Sequence, residues 1–314
     1  HSFDGCSNLE TITISSNVKT IGCSSFKDCK SLTEISLPKS VKSIGCEIFK
    51  GCISLVKLSI QQPVETIPAF AFSGCTNLSE ISIPKSVAFI GEGAFSKCSS
   101  LKYIFIPSSS VKIQPNSFEF CDSLVFIGLT NATLAKEIKT QAKILICDDE
   151  SSAFYEYGKL FREGDGVPVN KSEEIKYYEM AIDKGNDEAM IEYANMLEDG
   201  NGVPVNKEEA IKYYKMAIDK GNDKAMNRYA NILANGNSVN KSKAIKYYKM
   251  AINKGNDYAM NNYAWMLENG DGVPENKSEA VKYYKLSAEK GNEDAMYNYA
   301  RMLENGDGVP ENKS

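Results

Sequence analysis

Two fixed periods divide this chain of 314 residues, one of 23 residues up to about residue 130 and one of 36 residues from about residue 153 onward. Cys6, Cys29, Cys52, Cys75, Cys98 and Cys121 stand 23 apart, and Phe3, Phe26, Phe49, Phe72, Phe95 and Phe118 keep the same interval. Periods of roughly 20 to 50 residues belong to solenoids, in which no repeat buries its apolar face alone and each relies on stacked neighbours. The periods therefore predict two repeat solenoids: short parallel strands in six rungs over residues 1–130, a cap and junction over 131–152, and all-α hairpins over 153–314, four complete and a fifth truncated.

Bulk composition excludes more than it identifies. Residues 1–147 carry 14 Lys and no Arg against 11 Asp and Glu, a net +3, which leaves −8 for the rest of a chain whose formal charge is −5. That balance is too weak in front and too acidic behind to hold phosphate backbones, so nucleic acid is not an expected partner. No apolar run approaches the roughly 18 residues of a membrane span, so no membrane insertion is expected of this stretch. The chain opens at His1-Ser2-Phe3 and closes at Asn312-Lys313-Ser314, both inside a repeat, and reads as a piece of something longer.

In the front half, Ile35 and Leu37 flank a polar Ser36, an alternation that predicts a short strand with one buried face, with Pro38 and Gly45 marking turns. Equivalent pairs are Ile12/Ile14, Leu58/Ile60, Ile81/Ile83, Ile104/Ile106 and Ile127/Leu129. The pattern L-x-x-I-x-I-P-x-S-V-x-x-I-G-x-x-x-F-x-x-C, matched six times over residues 3–130, resembles the leucine-rich repeats of the BspA-like family. Members are commonly surface proteins that bind host or matrix proteins, so the resemblance implies adhesion or recognition and a cell-surface or secreted setting. Rung five departs from the pattern with Val111-Lys112-Ile113, which predicts a local irregularity there. Ala132 to Ala142 reads as a short helix and Lys143 to Cys147 as a strand, together a cap over the last rung.

The nine cysteines read as buried free thiols serving as small hydrophobes, because equivalent residues on adjacent rungs have parallel Cβ vectors, poor geometry for a bridge. Cys23 and Cys46 form a second pair 23 apart. With no C-x-x-C and His1 as the only histidine, neither a zinc site nor a Cys-His nucleophile pair is expected, and no cofactor either. The unpaired thiols lean toward a reducing interior and the family habit leans outward, so the compartment stays open between cell surface and cytoplasm.

Positions that break a repeat carry the site hypotheses. On the exposed face of the strands, Thr11, Glu34, Lys57 and Glu80 give way to Tyr103 and Phe126, and Thr13, Ser36, Ser59 and Ser82 give way to Phe105 and Gly128. Tyr103, Phe105 and Phe126 read either as a binding patch or as packing under the cap or the helical repeats.

In the back half, repeats align on Ala153, Ala189, Ala225, Ala259 and Ala295, with spacings of 36, 36, 34 and 36. Met190, Tyr193, Ala194 and Leu197 form one buried helical stripe, followed by a second helix with Ala210, Tyr213, Tyr214 and Ala217. Asn206 with Glu209, Asn170 with Glu173 and Asn276 with Glu279 predict capping boxes, and Gly221 a left-handed helix end. The motifs Tyr193-Ala-x-x-Leu197, Gly200-x-Gly-Val-Pro204 and Ala210-x-x-Tyr-Tyr-x-x-Ala217 resemble Sel-one-like repeats, relatives of the tetratricopeptide hairpin. That resemblance implies a non-enzymatic adaptor that binds proteins or peptides, and it implies that the first helix of each hairpin lines a groove. Two variable columns fall on that helix: Lys159, Asn195, Asn231, Trp265, Arg301 and Tyr155, Ile191, Asn227, Asn261, Tyr297. Trp265, the only tryptophan, is expected to anchor a partner with Arg301 and Tyr297 beside it.

An enzyme fits poorly, since G-x-G-V-P lies between helices instead of following a strand. Asn-x-Ser/Thr acceptors occur at Asn77, Asn131, Asn170, Asn240, Asn276 and Asn312, but four of them are the Asn-Lys-Ser start of a helix. The polar junction Asp148-Asp-Glu-Ser-Ser152 is short, so the first helix is expected to pack on the cap and the two halves to form one continuous body.

Overall fold

The computed structural model describes residues 1–60, 63–108, 110–130 and 142–308. It divides into two compact units, His1–Lys184 and Gly185–Ser314, so the first helical hairpin belongs to the same unit as the rungs.

Each rung turns twice through short strands. β1 (Thr20–Ile21) pairs in parallel with β3 (Ser43–Ile44), and β5 (Thr66–Ile67), β7 (Phe89–Ile90) and β9 (Lys112–Ile113) form a second short ladder. The principal sheet is parallel and runs β2 (Glu34–Ser36), β4 (Lys57–Ser59), β6 (Glu80–Ser82), β8 (Tyr103–Ile106), β10 (Phe126–Leu129), β11 (Lys143–Ile146). The register follows the 23-residue period, with Ile35 opposite Leu58, Leu58 opposite Ile81 and Ile104 opposite Ile127. Like therefore stacks on like, and the inward Leu, Ile, Val and Phe columns merge into one core. The strand expected over 143–147 is present as β11. The helix expected before it lies outside the described residues except for Ala142. In rung five, Ile90 still pairs with Ile113, so the shifted valine leaves the ladder intact.

The phenylalanine column is a stack of near-parallel rings, with successive centroids 5.3 to 5.7 Å apart from Phe3 to Phe118. The cysteine column does more than fill space. Cys52 Sγ donates to the Phe26 carbonyl (3.0 Å), Cys75 to Phe49 (3.1 Å), Cys98 to Phe72 (3.2 Å) and Cys121 to Phe95 (3.0 Å). Each thiol is thus a second donor to a carbonyl that already accepts from the turn, as Phe26 O does from Cys29 N and Phe49 O from Cys52 N. All nine cysteines are free. Cys6, Cys23 and Cys46 are exposed, against the expectation that all are buried: the second pair sits on a turn outside the core column, and Cys6 belongs to the column's first rung.

The helices are α1 (Glu150–Glu163), α2 (Lys171–Asp183), α3 (Asp187–Asp199), α4 (Lys207–Asp219), α5 (Asp223–Ala234), α6 (Ser238–Asn253), α7 (Asp257–Asn269), α8 (Lys277–Glu289) and α9 (Glu293–Asn305). Asn206 Oδ1 accepts from Glu209 N (3.1 Å), while its Nδ2 donates to Glu209 Oε2 (2.9 Å), a capping box closed through the side-chain amide. Asn276 and Glu279 repeat it, and Asn170 accepts from Ser172 N and Glu173 N. The 34-residue repeat is different. Its missing residues turn the loop into helix, so α6 starts at Ser238 and is capped by Asn237, not by the Asn240 that its Asn-Lys-Ser motif suggests.

Candidate interaction site

Within the first unit, the aromatic positions that break the strand pattern are core. Tyr103, Phe105 and Phe126 are buried under α1 and α2. The Tyr103 ring meets Phe154 edge-on (5.3 Å) and Tyr177 (5.6 Å), and Phe126 lies against Tyr157 and Phe161. Gly128 makes this closure possible: a Cβ there would stand 2.7 Å from the Phe105 ring and 3.0 Å from Tyr157 Oη. The reading of these three aromatics as an exposed patch is therefore corrected. They are buried because the first hairpin covers the last rungs. Tyr155 and Lys159 also serve the hairpin: Tyr155 stacks on Tyr178 (5.9 Å), and Lys159 Nζ lies over Tyr155 (5.5 Å) and pairs with Glu156 (3.0 Å). A cleft of about 310 Å³ stays open between the polar strand face and the hairpin, lined by Lys57, Glu80, Ser82, Tyr103, Phe154 and Lys184 among others.

In the second unit, one tyrosine of each second helix reaches back to the first helix of its own hairpin. Tyr214 Oη bonds Asn195 Oδ1 (2.6 Å) and Glu198 Oε2 (3.0 Å), and Tyr248 Oη donates to Asn231 Oδ1 (2.7 Å). Burial, with Glu198 beside Tyr214, pushes both phenols up, so these hydroxyls stay protonated and act as donors. Asn195 and Asn231, read from the sequence as groove positions facing solvent, thus hold the hairpins together. Asn231 also accepts from Asn262 Nδ2 (3.0 Å), which reaches Asn227 Oδ1 (3.1 Å) as well, and Asn298 Nδ2 donates to Asn261 Oδ1 (3.1 Å). Carboxamides therefore tie neighbouring repeats along this face. Ile191 is buried, so it too is unavailable as a contact residue.

Trp265 occupies the asparagine column but does not do its work. Tyr284 Oη turns instead to Glu268 Oε2 (2.9 Å), and Arg301 clamps the same carboxylate with two contacts of 2.8 Å. Glu268 holds the Arg301 guanidinium charged, so Arg301 is committed to the next-repeat contact rather than free beside the indole. Relieved of that task, Trp265 is 50% exposed, and Tyr297 is 70% exposed. The indole borders an open cleft of about 280 Å³ whose other walls are Asn231, Ala234, Asn235, Tyr248, Asn262 and Met266. No ionisable acid or base lines it apart from the Tyr248 phenol, and three carboxamides do. Asn235 and Asn262 were not singled out in the sequence, although Asn262 lies three residues before Trp265, the spacing that puts two side chains on one helix face.

The family model described as Sel1 repeat matches residues 151–186, 187–222, 223–256, 257–292 and 293–314. The model for a BspA type leucine rich repeat region matches residues 1–125 in six copies. No curated protein matches the chain. Among solved structures, a protective antigen of uropathogenic Escherichia coli strains displaying an SLR fold is 28% identical over 52% of this chain and 35% of its own, with a TM-score of 0.46. A Sel1 repeat protein from Oxalobacter formigenes is 26% identical over 51% of this chain and 65% of its own, with a TM-score of 0.47. A leucine rich repeat protein from T. pallidum is 34% identical over 36% of this chain and 52% of its own, with a TM-score of 0.34. The chain thus spans from 35% to 65% of the length of these proteins.

Proposed function

Because this chain belongs to the Sel1 repeat family and carries a BspA type leucine rich repeat region ahead of the helices, we propose that it is a non-enzymatic scaffold that holds an extended peptide segment at Trp265. The observation that carries this reading is the indole itself, half exposed beside Asn231, Asn235 and Asn262. Asn231 Oδ1 and Asn262 Nδ2 are spent between the helices, so a peptide backbone would be met by the Asn231 Nδ2 donor, the Asn262 Oδ1 acceptor and the Asn235 amide. An aromatic ring beside them gives an apolar side chain of the peptide a surface to bury. A strongly charged segment would find no counter-ion there. No helix among the described residues is long and apolar enough to cross a membrane.

Trp265 is the only tryptophan, so its emission reports directly on occupancy. Peptides selected on the wild-type chain from a random twelve-residue library should shift that emission to the blue. Trp265→Asn, which restores the residue of the column, should weaken them roughly 30-fold or more, a hot-spot loss of about 2 kcal/mol. Selected peptides that bind the Asn variant as well as wild type would remove the anchor.

The polar strand face and the cleft beside Lys57, Glu80 and Tyr103 support a second surface in the first unit. An adhesin or surface antigen that meets host or matrix proteins is the alternative the front repeats favour, and it would use this surface. Loss of matrix-protein binding on Lys57→Glu/Glu80→Lys, with Trp265→Asn silent, would select it.

A further inference from the structure

Cys23 and Cys46 stand on adjacent rungs, outside the buried thiol column, and both are exposed. Their turns are alike: the next residues, Ser24 and Glu47, have φ of 54° and 57°, and Ser24 N donates to the Cys46 carbonyl (2.8 Å). Just before them, Thr20 faces Ser43 and Ile21 faces Ile44 in parallel register. Side chains at matched positions remain in step here, since Ser43 Oγ lies 3.2 Å from Thr20 Oγ1, and the rings of Phe3, Phe26 and Phe49 stack at 5.3 and 5.5 Å. The next rungs carry Ala69, Glu92 and Pro115 in this column, so the thiols form one isolated pair.

Side chains in step on stacked strands stand roughly 4.8 Å apart with parallel Cβ vectors, an alignment that suits a disulfide poorly, since a bridge needs Cβ atoms about 3.8 Å apart and a dihedral near 90°. The same spacing is about twice a metal–sulfur bond of roughly 2.3 Å. We propose that Cys23 and Cys46 form a surface site for a soft monovalent metal ion, copper(I) by chemistry, bound in line between the two sulfurs. Thiolates select copper(I), which is satisfied by two of them. Zinc would require four ligands, and among the described residues no cluster of three or more His, Cys, Asp or Glu side chains can supply them. On binding, two S–H bonds break, two Cu–S bonds form and two protons leave for solvent. No electron moves, because the ion arrives as copper(I).

Other thiols compete poorly. Cys29, Cys52, Cys75 and Cys98 are buried and donate to backbone carbonyls, half-buried Cys121 donates likewise, and burial pushes the Cys52 and buried Cys147 thiols up to about 12 and Cys121 up to about 11. Cys6 is exposed and is removed by Cys6→Ser. In that background, anaerobic titration with copper(I) buffered by bicinchoninate should load one ion per chain, with X-ray absorption showing two sulfur neighbours. Cys23→Ser and Cys46→Ser should each weaken binding by roughly a hundredfold or more, because the second thiolate acts at a high effective concentration. Retained affinity in either single variant, or a stoichiometry of two or of none, would overturn the site. A readout independent of those variants is alkylation by iodoacetamide: one equivalent of copper(I) should protect both exposed thiols together, and protection of only one would refute the bridge.

Discussion

Phe126, on the last rung of the principal sheet's repeating part, lies flat against Tyr157 of α1, their ring centroids 4.6 Å apart and their planes 17° from parallel. The hairpin thereby covers the outer face of the last rungs. Tyr103, Phe154, Phe161 and Tyr177 complete the cluster, each ring within 6 Å of another member. Deleting one such buried ring costs about 3–5 kcal/mol, from lost transfer energy and the cavity left behind. Phe126→Ala and Tyr157→Ala should therefore each lower the urea midpoint of the first unit markedly. Trp265→Asn, half exposed and in the other unit, should stay within about 0.5 kcal/mol of wild type. A mild Phe126→Ala would mean that the hairpin does not seal the rungs.

The amide of Asn231 serves two partners, the Tyr248 hydroxyl at 2.7 Å and the Asn262 amide at 3.0 Å. Asn231→Leu leaves the Tyr248 hydroxyl without its acceptor, while Asn262 keeps Asn227 as its other one, and a buried polar group without a partner costs about 1–3 kcal/mol. The expected loss is about 1–3 kcal/mol on that basis. Tyr248→Phe alone should cost about 1 kcal/mol. The double variant should be less destabilised than the sum of the two, because the orphaned hydroxyl is gone. Urea melts of the four proteins in a double-mutant cycle check this, and strict additivity would mean the bond contributes nothing.

What could be read in advance follows from what determines each feature. Residue spacing sets the register of a solenoid, so the pairing of Ile35 with Leu58 and the stacked phenylalanine column were legible from a 23-residue period. The fate of Tyr103 and Phe126 was not, because exposure on a strand face depends on what covers it, and here the cover is α1 and α2, more than 25 residues downstream of Phe126 in the case of α2. Spacing likewise placed Asn195 and Asn231 in one column with Trp265. It could not tell that the asparagines bond tyrosines of the following helix while Glu268 replaces Trp265 in that duty. The carbonyls accepting from the cysteines were hidden for the same reason: the partner belongs to the preceding rung, 26 residues earlier in the chain.

One motif should give opposite results in two repeats. Asn276 in Asn-Lys-Ser caps α8, accepting from Glu279 N at 3.0 Å, whereas Asn240 in the same motif lies inside α6 and Asn237 is the cap, accepting from Asn240 N at 3.1 Å. Removing an N-cap side chain costs about 1 kcal/mol, while alanine is the best interior helix residue. Asn276→Ala and Asn237→Ala should each lose about 1 kcal/mol in urea melts, and Asn240→Ala should lose nothing or gain a few tenths. A clear loss for Asn240→Ala would return the helix start to the motif.

The thiol ladder makes the first unit sensitive to alkali. Burial pushes Cys52 and Cys147 up to about 12 and Cys121 up to about 11. In the unfolded chain these thiols titrate near 8.5. Below that pH both states hold the proton and the contribution to stability is full. Above it the unfolded chain releases protons that the folded chain retains, so the unfolded state binds fewer and stability falls as pH rises toward the folded values. Each thiol adds a slope of at most about 1.4 kcal/mol per pH unit in that window. The interval from about pH 8 to 9 is theirs, since unfolded thiols pass their midpoint there while unfolded tyrosines are half titrated only at about 10. Urea midpoints should therefore decline between about pH 8 and 9, and Cys52→Ala should decline less steeply than wild type. Equal slopes for the two would mean that the proton on Cys52 is not what the folded core is protecting.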